Sequence, residues 1–296
     1  MPVRKAVIPA AGFGTRILPA SKAVPKVLLP VVDRPAIQYA VEELVRAGVN
    51  DICIVTSRGG DAVIDHFGAT PDLELVLRRG GKHHFLDEVL ALRQLADIYA
   101  VRQHEALGLG HAVWTARNHV GGEPFVVVLP DELFDPEENF LGDMIAAFDE
   151  HGDSVIAVQE VPHEQIRFYG SIDPLPDPDG SPNSSNSSDL IKVRSLVEKP
   201  EPDEAPSDLA AVGRYVLDPE IFEILEKVDP GAGGEIQLTD GLNVLAERRR
   251  LRARIHRGRR WDVGSKAGYL EATVTLAAER EDLGPSFRRF LDGFVG

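Results

Sequence analysis

The chain of 296 residues has one cysteine, Cys53. A disulfide framework and a cysteine zinc site are therefore both excluded within one chain. Cys53 lies in the apolar run Ile52-Cys53-Ile54-Val55, which predicts a small buried hydrophobe rather than a reactive thiol. Long apolar runs are also missing. None approaches the ~18 residues of a membrane span, and the opening MPVRKAVIPA lacks the apolar segment and cleavage site of a secretory signal. A cytoplasmic location with no membrane contact is the expectation. Basic residues are in deficit, 32 Lys and Arg against 47 Asp and Glu, a formal net charge of −15. That field repels nucleic acid and anionic membranes, so an anionic substrate needs cations gathered locally. The histidines show no metal spacing. Low-complexity sequence is confined to Asp173–Asp189, where SPNSSNSSD has nothing to bury and predicts a mobile, dispensable surface loop.

A hydrophobic content of 43% and a charged content of 27% belong to a globular chain. Short β-rich runs (residues 3–9, 51–56, 98–102 and 125–129) alternate with helical patterns, such as the one that follows Pro35 and carries Ile37, Val41 and Leu44. This alternation predicts an α/β fold with right-handed crossovers, a parallel sheet and flanking helices. Beyond residue 160 strands dominate and predict a smaller β-rich excursion.

Between the first strand and the first helix lies AAGFGTRILPASKAVPKVLLP, residues 10–30. Gly12 and Gly14 free the backbone to turn or to approach a ligand, and their N–H groups can line an anion-binding concavity. Arg16, Lys22 and Lys26 add three cations with no acid among them, the composition of a polyphosphate site. The loop fails two common phosphate motifs. Ile17 stands where a dinucleotide fingerprint needs a third glycine, and the Walker G-K-S/T is absent. Hydride transfer and P-loop hydrolysis are thus unsupported. Asp131 ends the apolar strand 125–129, and Asp262 sits in Trp261-Asp262-Val263-Gly264. Either aspartate alone reads more readily as a helix cap. Beside a phosphate loop, the two read as a Mg²⁺ site, since Mg²⁺ takes one or two carboxylates plus substrate phosphates. In Glu198-Lys199-Pro200 the proline predicts an extended, aimed Lys199 that can neutralise a second phosphate, with Glu198 accepting from sugar hydroxyls, but the tripeptide alone reads more readily as a surface ion pair. The arginines of Arg248–Arg260 read as a solvated face, or an oligomer or effector surface, rather than a nucleic-acid patch.

Taken in order, G-F-G-T-R, P-K-V-L-L-P, R-Q followed by G-L-G-H-A-V, L-P-D, Y-G, E-K-P, G-E-I-Q-L-T-D and W-D-V-G-S resemble the sugar-nucleotide pyrophosphorylases. The set looks most like the bacterial UTP–glucose-1-phosphate uridylyltransferases. The resemblance spans nearly the whole chain. It implies a Rossmann-like nucleotidyltransferase fold with a mixed, mostly parallel central sheet, in one domain, 1–296. Residues 1–160 would form a nucleotide-binding half, 161–264 a sugar-phosphate half with the loop 173–189, and 265–296 a C-terminal helical segment. The implied reaction joins UTP and glucose 1-phosphate into UDP-glucose and pyrophosphate. Ala11 and Gly12 would then contact the nucleotide, as Gly14 would in the same loop, and Gln103 and Gly108 would read the uracil edge. Arg16 and Lys26 would hold the triphosphate, Asp131 and Asp262 Mg²⁺, and Lys199 the sugar phosphate, with Glu198, Gly170 and Gly213 lining the glucose pocket. A homodimer or homotetramer is implied in the same way. Val27 departs from the family's P-K-E-M-L-P, where an acid stands near the base, and Glu132 has no assigned role. The competing expectations are a glucose-1-phosphate thymidylyltransferase, which shares the loop and paired aspartates, and a non-catalytic nucleotide-sugar sensor on the same fold.

Overall fold

The computed structural model describes residues 1–175, 189–231 and 234–295. Its strands are β1 (Lys5–Pro9), β2 (Pro30–Val31), β3 (Arg34–Pro35), β4 (Asp51–Thr56), β5 (Asp97–Arg102), β6 (Phe125–Val128) and β7 (Glu132–Phe134). After them come β8 (Ser154–Glu160), β9 (Gly170–Pro174), β10 (Leu190–Glu198), β11 (Leu209–Leu217), β12 (Leu251–Ile255) and β13 (Arg260–Asp262). The expected Ser/Asn-rich loop falls mainly in 176–188, outside the described residues. Asp173, placed in that loop by composition, instead pairs with Ser195 in the β9–β10 ladder.

Two compact units make up the chain. The larger comprises residues 1–12, 41–129 and 139–257 and contains a nine-stranded sheet in the order β5-β4-β1-β6-β11-β8-β12-β10-β9. β1 is parallel to β4 and β6, β5 to β4, and β12 to β8. β11 runs antiparallel to β6, β8 and β9, and β10 to β12 and β9. The sheet is mixed, as expected, but its parallel character is strongest in the first four strands. There helices separate consecutive strands, as parallel pairing requires. From β8 to β11 no α-helix intervenes among the described residues, so the chain can reverse. Each residue of Phe125-Val126-Val127-Val128 is wholly buried, as suits a strand with neighbours on both sides and layers on both faces. The Phe125 ring stacks on Phe222 at 4.9 Å between centroids. Cys53 is fully buried, and burial, with a smaller contribution from Asp51, pushes its thiol up to about 12. A thiol-specific disulfide reagent at pH 8 should therefore leave it unmodified in the native protein and label one thiol after denaturation. Rapid labelling of the folded chain would contradict that packing.

The smaller unit comprises residues 13–40, 130–138 and 258–296. β7 and β13 form an antiparallel pair in which Glu132 lies opposite Asp262 and Leu133 opposite Trp261. Val31, Ala36, Leu133, Trp261, Val263 and Ala272 form its core. Ser265 caps the helix Lys266–Glu279 by accepting a hydrogen bond at Oγ from the Gly268 N–H, 3.1 Å.

The arginines between 248 and 260 are largely matched by acids. In the larger unit Arg248 pairs with Glu220, Arg250 with Asp218 and Glu220, Arg252 with Asp153, and Arg257 with Asp189. In the smaller unit Arg259 pairs with Asp135 and Glu279, and Arg260 with Glu132. The acid excess of the chain supplies these partners.

Candidate functional site

In the smaller unit, residues far apart in the chain converge. Gly14 has φ +65°, which L side chains rarely adopt, and starts the short 3₁₀ turn Thr15–Ile17 that carries Arg16. A second such turn, Lys26–Leu28, carries Lys26. The turns are packed together: a Cβ at Gly14 would stand 3.0 Å from Lys26 Cβ, and Ser21 Oγ donates to the Gly14 carbonyl at 2.6 Å. Asp131 ends the connection into β7, and its carbonyl accepts the Val263 N–H at 2.8 Å, which fixes Asp131 beside the end of β13. Lys26 Nζ donates to Asp131 Oδ2 at 2.5 Å, and Arg16 Nη2 approaches the same oxygen at 3.3 Å. Arg16 Nη1 donates to Asp262 Oδ2 at 2.6 Å. Both aspartates are largely buried, whereas the Arg16 side chain is 54% exposed. The cluster is thus open on its cationic side. Lys22, expected in the same group, is exposed.

Burial opposes ionisation of Asp131, but the Lys26 charge and hydrogen bond, with Arg16 behind them, hold its carboxyl below the ordinary carboxylate range. Burial likewise opposes the charge on Arg16, and Asp262 and Asp131 more than offset it. Glu132 answers differently. Burial, Asp262 and Asp131 push it up to about 7 although Arg260 pulls the other way. The unassigned acid is therefore the buried partner of Arg260.

Gly264 belongs to the cluster although sequence reasoning passed over it. A Cβ there would lie 2.6 Å from Arg16 Nη2, 2.7 Å from Asp131 Oδ2 and 2.9 Å from Asp262 Oδ1. Its N–H donates to Asp262 Oδ1 at 3.0 Å. Two carboxylates therefore border one small space that a methyl group would fill. This donor set fits a hard divalent cation completed by water and phosphate rather than a cage of protein ligands. Val27 is buried, so it presents no polar group.

In the larger unit, Ala11 and Gly12 follow β1. Ala11 is buried, Gly12 is exposed, and a Cβ at Gly12 would meet nothing within 4 Å among the described residues. Gln103 leaves the end of β5, is 7% exposed and donates from Nε2 to the Gly108 carbonyl at 3.2 Å. Gly108 has φ +95°, and a Cβ on it would fall 2.7 Å from the Ile236 carbonyl oxygen. Gly110 is equally confined and donates its N–H to that oxygen at 2.9 Å, while the Ile236 N–H donates to the Leu107 carbonyl at 2.7 Å. G-L-G-H-A-V and G-E-I-Q-L-T-D are thus two sides of one backbone contact.

A second group gathers where β10 ends. Glu198 lies opposite Gly170 in the ladder, and Glu198 Oε2 accepts the Thr239 hydroxyl at 2.6 Å. A Cβ at Gly170 would stand 3.4 Å from that same oxygen. Lys199 is not extended as its proline neighbour predicts. Its φ is +46°, and its N–H donates to the Tyr169 carbonyl at 3.0 Å, ending the ladder by turning the chain. Such a conformation costs on the order of 1–3 kcal/mol for a non-glycine residue and recurs at functional sites. Lys199 Nζ lies 3.3 Å from Glu198 Oε1. Gly213, φ +74°, sits in the irregular part of β11, where its carbonyl accepts the Leu129 N–H at 2.9 Å. Thr239 lay within a recognised motif, but nothing local marked its tie to Glu198.

Residues 5–279 match the Nucleotidyl transferase family. The chain is 46% identical to a UTP–glucose-1-phosphate uridylyltransferase of Bacillus subtilis (strain 168), over 99% of this chain and 97% of that one. Among solved structures it resembles a UDP-glucose pyrophosphorylase from Acinetobacter baumanii, with a TM-score of 0.88, 37% identity and 99% of both chains covered. A UTP-bound UGPase from Acinetobacter baumannii is similar at a TM-score of 0.86 and 37% identity, with 98% of both chains covered.

Proposed function

The chain belongs to the nucleotidyl transferase family and is an enzyme of its uridylyl-transferring branch, and from that premise we propose how its own residues form UDP-glucose. The reaction is attack by a phosphate oxygen of glucose 1-phosphate on the α-phosphorus of UTP, in line with the departing pyrophosphate. A new P–O bond forms as the α–β bridge breaks, and the electron pair leaves on pyrophosphate. No covalent intermediate on the protein is needed. Positioning and neutralisation of charge supply the catalysis.

The observation that carries this reading is the cluster of Arg16, Lys26, Asp131 and Asp262, two cations matched to two carboxylates around the space at Gly264. A triphosphate with its divalent cation brings the complementary pair of charges. Arg16 and Lys26 would turn to phosphate oxygens, and Asp131 and Asp262 would hold Mg²⁺, so that the buried carboxylates would keep cationic partners. Bound there, Mg²⁺ neutralises charge on the phosphates. Ala11, Gly12 and Gly14 present backbone to the nucleotide. Gln103 and Gly108 take the base, Glu198 with Gly170 and Gly213 the glucose hydroxyls, and Lys199 the sugar phosphate. Thr239 orients Glu198. The remaining elements of this proposal are a homodimer or homotetramer and a cytoplasmic site of action. For the latter, no helix among the described residues is long and apolar enough to cross a membrane.

Pyrophosphate release with Mg²⁺ tests the proposal, with UTP, dTTP, CTP, ATP and GTP each crossed against glucose 1-phosphate and its near relatives. The expected result is release with UTP and glucose 1-phosphate, lost when Mg²⁺ is chelated. A preference for dTTP would show that Val27 relaxes the choice and move the chain to the thymidylyl branch. UDP-glucose binding without release from any pair would favour the sensor.

A further inference from the structure

We propose that His111 is a positioning residue that fixes which end of the Gln103 amide meets the base, and so selects uracil over cytosine. The proposal rests on the uridylyl-transfer reading and adds a specificity-determining contact to it.

Gln103 Nε2 lies 2.9 Å from His111 Nδ1 and 3.2 Å from the Gly108 carbonyl oxygen. An amide nitrogen donates and cannot accept, and it has two hydrogens. His111 Nδ1 must therefore bear the lone pair, with the ring proton on Nε2, and both amide hydrogens are engaged inside the protein. Oε1 is the end that neither bond uses. It is an acceptor only. Uracil offers it the N3–H donor, whereas cytosine has a lone pair on N3 and would set acceptor against acceptor. Gln103 is nearly buried, so that mismatch is not relieved by solvent. Thymine carries the same N3–H, so this device separates uracil from cytosine and leaves the methyl group unread.

The surroundings hold the imidazole in the required state. Burial, the largest influence, and the nearby Arg117 lower its proton affinity, and Glu105 offsets this only in part. The ring stacks on Trp114 at 5.8 Å and 27°, and the Arg117 guanidinium covers Trp114 at 3.4 Å. His111 sits in the first turn of the helix Leu109–Thr115, whose start is fixed by Gly108 and Gly110 against Ile236. Without the Nδ1 acceptor, only the Gly108 carbonyl at 3.2 Å holds the amide nitrogen inward. Turning the amide by half a revolution, so that N–H meets cytosine N3, then breaks one bond rather than two.

The test is the ratio of kcat/KM for UTP to that for CTP, with glucose 1-phosphate, in wild type, H111L, H111A and H111N. Asn can place Oδ1 near the position of Nδ1 and restore an acceptor. H111L and H111A should lower the ratio by about tenfold or more, through a higher KM for UTP and gained turnover of CTP, and H111N should return it to within about threefold of wild type. A merely structural role would depress both nucleotides equally. An unchanged ratio in H111L and H111A, or an H111N as unselective as H111L, overturns the proposal. For a variant too slow to assay, the ratio of dissociation constants for CDP-glucose and UDP-glucose by calorimetry is scored the same way. Wild type that fails to turn over UTP would instead remove the reading beneath it.

Discussion

Asp131→Ala should lower UTP-dependent pyrophosphate release by about 10²-fold or more while leaving the protein folded, a loss of about 2.7 kcal/mol of transition-state stabilisation. The effect follows from the double role of one carboxylate. Asp131 Oδ2 is the atom on which Lys26 and Arg16 meet, and with Asp262 it borders the space at Gly264. Removing it takes away half of the carboxylate pair proposed to hold Mg²⁺ and frees Lys26 to bind phosphate without metal, while Arg16 keeps Asp262. Nucleotide affinity should therefore change less than kcat, and the residual rate should rise little with added Mg²⁺. Asp131→Asn separates charge from shape and is expected to be nearly as slow. Melting temperatures close to wild type are expected, because Arg16 keeps Asp262 as a partner and the site opens to solvent on its cationic side. A variant with wild-type kcat and undiminished Mg²⁺ dependence would refute the assignment. Lys199→Ala, tested alongside, should lose turnover by the same order without losing the metal requirement.

Arg214→Met should produce the largest loss of stability of any single substitution considered. Arg214 is 1% exposed, in β11, and its guanidinium makes a two-pronged pair with Glu43, Nε to Oε1 at 2.9 Å and Nη2 to Oε2 at 2.8 Å. Nη1 also donates to the carbonyls of Leu129 and Gly213, at 3.0 and 3.1 Å. Removing the arginine strands a buried carboxylate, which costs roughly 3–5 kcal/mol. For a chain of this size that corresponds to a fall in Tm on the order of 10 °C. The double variant Arg214→Met with Glu43→Leu should recover most of the loss, because two apolar side chains of similar volume replace a pair whose desolvation was already costly. Differential scanning fluorimetry of both variants checks this. A single variant melting within about 2 °C of wild type would show that Glu43 finds another partner or a proton at little cost.

Residues with a chemical or conformational requirement were readable without coordinates. The buried strand Phe125–Val128 announces itself by composition, and the structure buries all of it. The glycines at 14 and 108 mark backbone turns with φ of +65° and +95°, which side chains resist. Arg16, Lys26 and Asp131 stand out by their charge at a loop and after a strand, and they do converge. Local rules failed where a distant partner decided the outcome. Pro200 disfavours helical backbone at Lys199, yet a hydrogen bond to Tyr169 at the end of the ladder turns Lys199 to φ +46°. The Arg248–Arg260 series reads as a solvated face, and Arg248, Arg257 and Arg259 are exposed, but the acids that pair with the series lie elsewhere in the chain and no local rule marks them, as with Asp153 for Arg252 and Glu132 for Arg260.

By itself, then, the sequence determined the class of fold, the family and the residue types proposed to meet a triphosphate. Periodicity, glycine placement and charge composition act over a few residues, and ordered motifs survive without coordinates. Only the tertiary structure decided which groups touch. Arg16 is 246 residues from Asp262, Arg214 is 171 from Glu43, and Arg260 is 128 from Glu132. Over such separations no local propensity acts, and sheet order and packing bring the partners into contact. The same holds for Gly264, whose missing side chain matters only because three charged groups surround it, and for His111, whose importance lies in one lone pair held against the amide of Gln103.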